Sequence, residues 1–445
     1  MSSGGKNMKT VKFGGTSLAD AAMMKQCAEI LKADDERRFV IVSAPGKRFK
    51  DDIKVTDLLY QIHEECENGK DFLPTLEKVK ERFAGIVKDL GIDFDLDGEF
   101  AKIAEGIHPS CNQSWLVSRG EYLNAKIFAE YMGWPFVDAK DLLIFKENHL
   151  LSHHLTYKNA GNILEEYSHA VIPGFYGADT HGNITTFTRG GSDVTGAVIA
   201  RSVGASLYEN WTDVDGVMTA DPRVIDHPKQ VRYISYRELR ELSYMGASVL
   251  HEDAILPIRS TGIPIEIHNT MDPQAPSTRI AAAYPVDLEK HPVTGIAGKK
   301  GFSNLQIEMA LMNTQVGFGA RILEIIAENG ISYEHTPTSI DIISVIAETS
   351  YFEHCREKII MEIDREFHPD KLFIEDGMAL VTVVGEGIST NVGVAAKVLQ
   401  IISNAGINVR MIDAGCSELN IIIGVNETDY EKTIKALYEG LHEYL

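Results

Sequence analysis

The sequence predicts an α/β protein with a mostly parallel open sheet sandwiched by helices, followed by two copies of a small α/β module. Three observations carry this expectation. β-rich runs alternate with helix-length amphipathic segments over the first two-thirds of the 445 residues. Several of those runs are apolar at consecutive positions, as in strands covered on both faces. The last third contains an internal repeat.

The strand candidates are Thr10–Phe13, Phe39–Ser43, Ala170–Phe175, Ser206–Trp211 and Pro264–His268, with helices such as Ala21–Leu31 and Gly120–Tyr131 between them. Strand–helix alternation of this kind builds a parallel sheet with helices on both sides. The charged, proline-containing run from Tyr284 to Pro292 reads as the linker that ends this region. The domain expectation is therefore 8–284 for a catalytic domain, 285–300 for a linker and first strand, and 301–375 and 376–445 for the two modules.

The repeat aligns Gln315–Tyr333 with Asn391–Val409, and eight of the 19 positions are identical. Each copy opens on a Gly-rich polar loop and continues as a helix with apolar residues at i, i+3 and i+4: Ile322, Ile325, Ile326 and Val398, Ile401, Ile402. Each helix stops at a glycine, Gly330 or Gly406, as a left-handed cap requires. A strand precedes each copy, at Leu305–Met309 and Leu380–Val384, and another follows.

Composition narrows the function. Basic residues number 43 against 64 acidic ones, a net charge of −21. An acidic surface disfavours nucleic acid and anionic membranes as partners. No apolar run approaches the roughly 20 residues of a membrane span. The five cysteines are scattered without a CxxC pair, which fits a reducing cytoplasm and no zinc site. Residues 1–7 are Ser/Gly-rich and polar.

Three motifs carry chemistry. Lys12-Phe13-Gly14-Gly15-Thr16-Ser17 follows a strand; its glycines let backbone N–H groups approach a polyphosphate, and Lys12 adds a full cation. Thr188-Arg189-Gly190-Gly191-Ser192-Asp193 offers a guanidinium fork for a carboxylate and a second amide-rich turn. Asp193 is suited to orient Lys12 or to reach Mg²⁺ through water. The run Trp211-Thr212-Asp213-Val214-Asp215-Gly216, continuing to Asp221-Pro222-Arg223, supplies polar groups for a nucleotide, although such clusters commonly just make turns. The Walker A, Rossmann and protein-kinase catalytic-loop patterns are absent.

Together and in this order, KFGGTS, RGGSD and WTDV…DPR resemble the aspartate kinase family. Further matching residues are Thr56-Asp57-Leu58-Leu59, Gly120-Glu121, Gly174-Phe175 and Asn269-Thr270. The tail is similar to that family's paired ACT domains, so the resemblance spans nearly the whole chain. It implies the amino-acid kinase fold followed by two ferredoxin-like ACT modules. It also implies transfer of the γ-phosphoryl group of ATP, with Mg²⁺, to the β-carboxylate of L-aspartate. Lys12, Gly14 and Gly15 would hold the phosphoryl group. Thr56, Glu121, Phe175, Arg189 and Ser192 would surround aspartate, with Glu121 on the α-ammonium and Arg189 on a carboxylate. Thr212, Asp213 and Arg223 would contact ATP, and Asp193 would organise the catalytic groups. The chain departs from the family at Ser248, where a lysine is usual, at Met218 and at Thr188; Arg223 is the candidate replacement cation.

In the first repeat, the helix start Val316–Ala320 presents free amides to a carboxylate. The expected effector pocket comprises Met312, Gln315, Phe318, Gly319, Ala320, Glu334, Thr338, Ser339 and Asp341. The acidic residues favour lysine as the effector, with threonine as the alternative. ACT modules pair, which implies a homodimer or a dimer of dimers. Two other readings stay open on sequence: a different carboxylate kinase of the same fold, such as acetylglutamate kinase, and an amino-acid-binding regulatory subunit with a decayed kinase domain.

Overall fold

The computed structural model describes residues 7–188, 190–247, 249–250, 252–282, 285–414 and 418–445. Arg189, Ser248 and Tyr284, singled out above, lie outside the described residues. The chain forms two compact units. The first holds the N-terminal residues to Val217 together with Arg232–Tyr236 and the stretch from Val249 onward to the linker. The second holds Pro285–Leu445 together with Met218–Val231 and the stretch that begins at Arg237. Two pieces that the sequence reading counted with the N-terminal domain, among them Met218 and Arg223, thus group with the C-terminal unit.

The strands of the first unit are β1 (Lys9–Phe13), β2 (Arg37–Val42), β3 (Ile144–Phe145), β4 (Ala170–Pro173), β5 (Tyr176–Asp179), β6 (Ile184–Thr186), β7 (Leu207–Thr212), β8 (Tyr233–Ser235), β9 (Ile265–Asn269) and β10 (Thr278–Ala281). Seven of them form a sheet in the order β4-β2-β1-β7-β9-β10-β8, and β3-β5-β6 form a small second sheet. Every pairing in the large sheet is parallel except β9 with β10. From the interior strand β1 the chain moves outward to β2 and β4 on one side and later to β7 and β9 on the other, so a topological switch point lies between β1 and β7.

Register places the functional loops. Phe13 lies beside Val42 and Trp211, and Val42 lies beside Pro173. The carboxyl ends of four strands therefore open on one edge of the sheet. Alternation along β1 explains its burial: Val11 and Phe13 join the apolar core formed with the helices Ala21–Lys32, Leu73–Leu90 and Arg119–Met132. Phe13 packs edge-on against Phe128, at 6.5 Å between ring centroids. Thr10 and Lys12 are left to the other face, and the helix Gly191–Val203 packs against β1, β2 and β7.

The second unit contains β11 (Gly295–Glu308), β12 (Tyr333–His335), β13 (Ile342–Glu348), β14 (Lys371–Val384), β15 (Met411–Ala414) and β16 (Asn420–Asn426). They form one antiparallel sheet in the order β12-β13-β11-β14-β16-β15. Both copies of the repeat have the helix that the periodicity predicts, Phe318–Glu328 and Val394–Asn404. Gly330 and Gly406 take φ of 71° and 64°, the left-handed caps foreseen from sequence.

The long strands β11 and β14 serve both modules. Phe302–Glu308 of β11 pairs with β13 and with the first half of β14, completing the first module. Among the described residues Gly295–Lys299 pairs, as a strand, with Leu380–Val384, and so supplies the fourth strand of the second module. The first module is thus inserted between two strands of the second, and Gly301 (φ 88°) lies in the irregular register where β11 passes from one module to the other. No helix among the described residues is long and apolar enough to cross a membrane.

Candidate active site

A cleft of about 370 Å³ lies on the sheet edge described above. It is lined by Lys12 in β1, Gly15 and Thr16 after it, Ser43–Gly46 after β2, Lys54 and Thr56 at the start of a helix, Glu121, Phe175 after β4, and Gly190–Asp193. Thr212 ends β7, and Asp213 follows it, at the same edge.

Lys12 is buried, with 7% of its surface exposed, and its Nζ stands 2.6 Å from Asp193 Oδ1. Asn210, the register partner of Lys12 on β7, donates to the same carboxylate oxygen at 2.9 Å, and its own Oδ1 lies 3.4 Å from Lys12 Nζ. A buried ammonium costs several kcal/mol unless paired, and this triangle supplies the pairing that holds the Lys12 side chain in the cleft floor. Sequence reasoning identified Lys12 and Asp193 and missed Asn210. The available signal was the polar pair Glu209-Asn210 inside the strand Leu207–Thr212.

The glycines hold two loops in direct contact. Gly46 N–H donates to Gly15 O at 2.8 Å. A Cβ on Gly46 would come within 2.5 Å of Gly15 C and 2.6 Å of Thr16 N, both backbone atoms. Across the cleft, a Cβ on Gly174 would meet Ser192 Oγ at 2.5 Å, and one on Gly191 would meet Phe175 Cα at 2.9 Å. Phe175 itself takes φ of 77°, with its N–H donating to Thr195 Oγ1 at 3.2 Å. A left-handed phenylalanine costs roughly 1–2 kcal/mol, and strain of this kind concentrates at functional sites.

Glu121 sits in the first turn of the helix Arg119–Met132, 5% exposed. Its Oε2 is buried and has no hydrogen-bond partner among the described residues. Burial pushes its carboxyl up to about 8, against the backbone amides of Glu121 and Ala44 and the charge of Arg119, which pull the other way. A buried carboxyl with an open lone pair, aimed at a cleft, is poised for an incoming cation.

Thr212 and Asp213 are joined by a 3.3 Å hydrogen bond. Arg223 belongs to the second unit, where Asp221 grips its guanidinium through contacts of 2.7 to 3.0 Å. Arg189 and Ser248 lie outside the described residues.

In the second unit, the loop before the first repeat helix meets the turn before β13. Leu311 N–H donates to Asp341 Oδ1 at 2.9 Å, and Asn313 N–H to Ile340 O at 3.2 Å. Gln315, Thr338 and Ser339 are exposed around this junction, and Gly319 and Ala320 lie in the first turn of the helix. Met312 and Phe318 instead face the module core, Phe318 stacking edge-on with Phe367 at 4.7 Å. Glu334 accepts a hydrogen bond from the Tyr244 hydroxyl.

The amino acid kinase family model matches residues 7–269 and an ACT domain model matches 381–441. Aspartokinase 3 of Bacillus subtilis is 37% identical over 97% of this chain and 98% of its own length. The chain belongs to the aspartokinase family. The Clostridium acetobutylicum aspartate kinase structure superposes with a TM-score of 0.90 at 42% identity, covering 98% of this chain and 99% of that one. Escherichia coli aspartokinase III in complex with aspartate and ADP gives 0.77 at 25% identity, covering 98% and 100%. The same enzyme in complex with lysine and aspartate gives 0.74 at 26%, covering 98% and 99%. Family and fold together make this protein an aspartate kinase.

Proposed function

We propose that this cleft transfers the γ-phosphoryl group of ATP, carried with Mg²⁺, to the β-carboxylate of L-aspartate, giving 4-phospho-L-aspartate. The observation that supports this most is the buried Lys12–Asp193 pair in the same cleft as Glu121, whose Oε2 has no hydrogen-bond partner among the described residues. The first suits a phosphoryl group, the second an α-ammonium.

The nucleophile needs no general base, because a free β-carboxylate of pKa about 4 is ionised at neutral pH. Catalysis is then positioning and charge stabilisation. Lys12 and the amides of Gly14 and Gly15 hold the transferring group. Asp193 and Asn210 fix the Lys12 ammonium and keep it from swinging to solvent. Glu121 takes the α-ammonium, Arg189 a carboxylate, and Thr56, Phe175 and Ser192 close around the substrate. Thr212 and Asp213 contact the nucleotide. Asp193 is the cleft carboxylate that would hold Mg²⁺, and the ion would supply charge neutralisation on the phosphates. Because an acyl phosphate hydrolyses readily, the cleft must exclude water during transfer.

The product opens a route from aspartate to lysine, threonine and methionine in the cytoplasm. The effector is lysine, with threonine the alternative, bound where Gln315, Gly319 and Ala320 meet Thr338, Ser339 and Asp341, with Met312, Phe318 and Glu334 behind. The ACT modules pair between subunits of a dimer or tetramer, giving an inhibitor a two-state interface to bias. Escherichia coli aspartokinase III in complex with lysine supports this choice.

The test is an acyl-phosphate trap. Enzyme, ATP, Mg²⁺ and hydroxylamine should yield aspartyl hydroxamate only when L-aspartate is present. ADP release with no hydroxamate, or a hydroxamate formed equally from acetylglutamate, would overturn the reading.

A further inference from the structure

Charge balance in the cleft leaves one cation without an assigned task. The charged side chains that line it, among the described residues, are Lys12, Lys54, Glu121 and Asp193. Asp193 already balances Lys12 at 2.6 Å. Glu121, once ionised, balances the ammonium of the substrate. The transferring phosphoryl group brings further negative charge, and Lys54 is the remaining cation. No carboxylate among the described residues pairs with it.

Lys54 is exposed, and an exposed lysine is ordinarily just solvated. Its setting differs in two respects. It is the N-cap residue of the 13-residue helix Val55–Glu67, whose first-turn Thr56 also lines the cleft. The free amides and positive end of that helix therefore add to the lysine charge at the same place. Moreover, the loop that carries Lys54 is braced from below. Val55 N–H donates to Pro45 O at 3.2 Å, closing the loop at its base. The buried Arg82 guanidinium donates to Gly46 O at 2.7 Å, to Asp52 Oδ2 at 2.7 Å and to Ala19 O at 3.1 Å. Arg48 clamps the same Asp52 carboxylate at 2.8 and 2.9 Å. Asp52 is thus held by two guanidiniums two residues before Lys54.

We infer that Lys54 is the second phosphoryl-binding cation of this cleft, delivered by a loop that Arg82 and Asp52 fix in place. This rests on the aspartate kinase reading and adds a residue to it. In the transition state Lys54 neutralises charge on the equatorial oxygens of the transferring group, in addition to Lys12. It takes no part in holding aspartate.

The experiment compares wild type with Lys54→Met and Lys54→Arg in the full chain, at saturating ATP and aspartate, and measures aspartate affinity by calorimetry without nucleotide. Because Lys54 is exposed, neither change threatens folding. Lys54→Met should lower kcat by about 10-fold or more, as loss of a preorganised charge donor does. Aspartate Kd should stay within about two-fold, and Lys54→Arg should recover most of the rate. A Lys54→Met enzyme with kcat within about two-fold of wild type would overturn the inference, as would a defect confined to aspartate affinity. Wild-type enzyme with no aspartate-dependent ADP release would instead sink the parent reading, and this one with it.

Discussion

Lys12 Nζ and Asp193 Oδ1 stand 2.6 Å apart, joining the end of the interior strand β1 to the first turn of the helix Gly191–Val203 across 181 residues of sequence. That pair places a charge-balanced lysine in the cleft floor at rest. Lys12→Ala should cut kcat by at least about 10²–10³-fold. Asp193→Asn keeps the size of the side chain but frees the ammonium to wander, and should lower kcat more than it raises either KM. Thermal melts run beside the kinetics separate this from unfolding.

Glu121 predicts a pH signature. Its carboxyl is raised to about 8 by burial, so at pH 7 it is mostly neutral in the free enzyme. Binding an α-ammonium pulls the proton off. Aspartate binding at pH 7 should therefore release close to one proton per site, read by calorimetry in buffers of different ionisation enthalpy. Aspartate affinity should rise as pH climbs toward 8. For stability the sign follows from a folded pKa above the unfolded one. The contribution is complete below the ordinary glutamate range near 4 and is lost as pH rises through about 8. Glu121→Gln should abolish both the proton release and this loss, while raising aspartate KM.

The contact between Gly15 and Gly46 admits no side chain. Gly46→Ala would push Cβ into backbone at 2.5 Å, and overpacking of that kind costs about 1–3 kcal/mol. Loss of activity should exceed the loss of stability, because the displaced atoms line the cleft.

Arg82 joins three loop segments, and its removal leaves buried acceptors behind. Arg82→Met should destabilise the first unit by about 3 kcal/mol, measured by chemical denaturation. Arg48 and Arg82 hold the Asp52 carboxyl well below the usual carboxylate range. Its stabilisation is present above the unfolded value near 4 and is lost as pH falls below that. The variant should accordingly show a smaller loss of stability on acidification than wild type.

Lysine should bind the second unit and weaken catalysis, and Asp341→Asn should weaken that binding while leaving uninhibited turnover unchanged. Calorimetric titration decides it; no heat with either lysine or threonine would end the effector proposal.

Much of this was legible in sequence because strands covered on both faces announce themselves as apolar runs. β1, β2, β4, β7 and β9 fall within two residues of the runs that predict them. The Lys12 and Asp193 motifs are also local, glycine-marked turns. Residues that act through three-dimensional pairing were not legible. Asn210 matters because register sets it beside Lys12, and Lys54 because Arg82 anchors its loop from a helix 28 residues later. Phe318 and Met312 belong to the apolar period of their module, which pulls them inward. The shared strand β11 has no sequence mark that assigns Gly295–Lys299 to the second module, since only hydrogen-bond pairing decides it.

The most direct test is a crystal structure of the enzyme with aspartate and a non-hydrolysable ATP analogue. The account places the terminal phosphate within hydrogen-bonding distance of Lys12 Nζ and the Gly14 and Gly15 amides, with the α-ammonium of aspartate on Glu121. A triphosphate bound away from Lys12, or an aspartate with its ammonium away from Glu121, would contradict it.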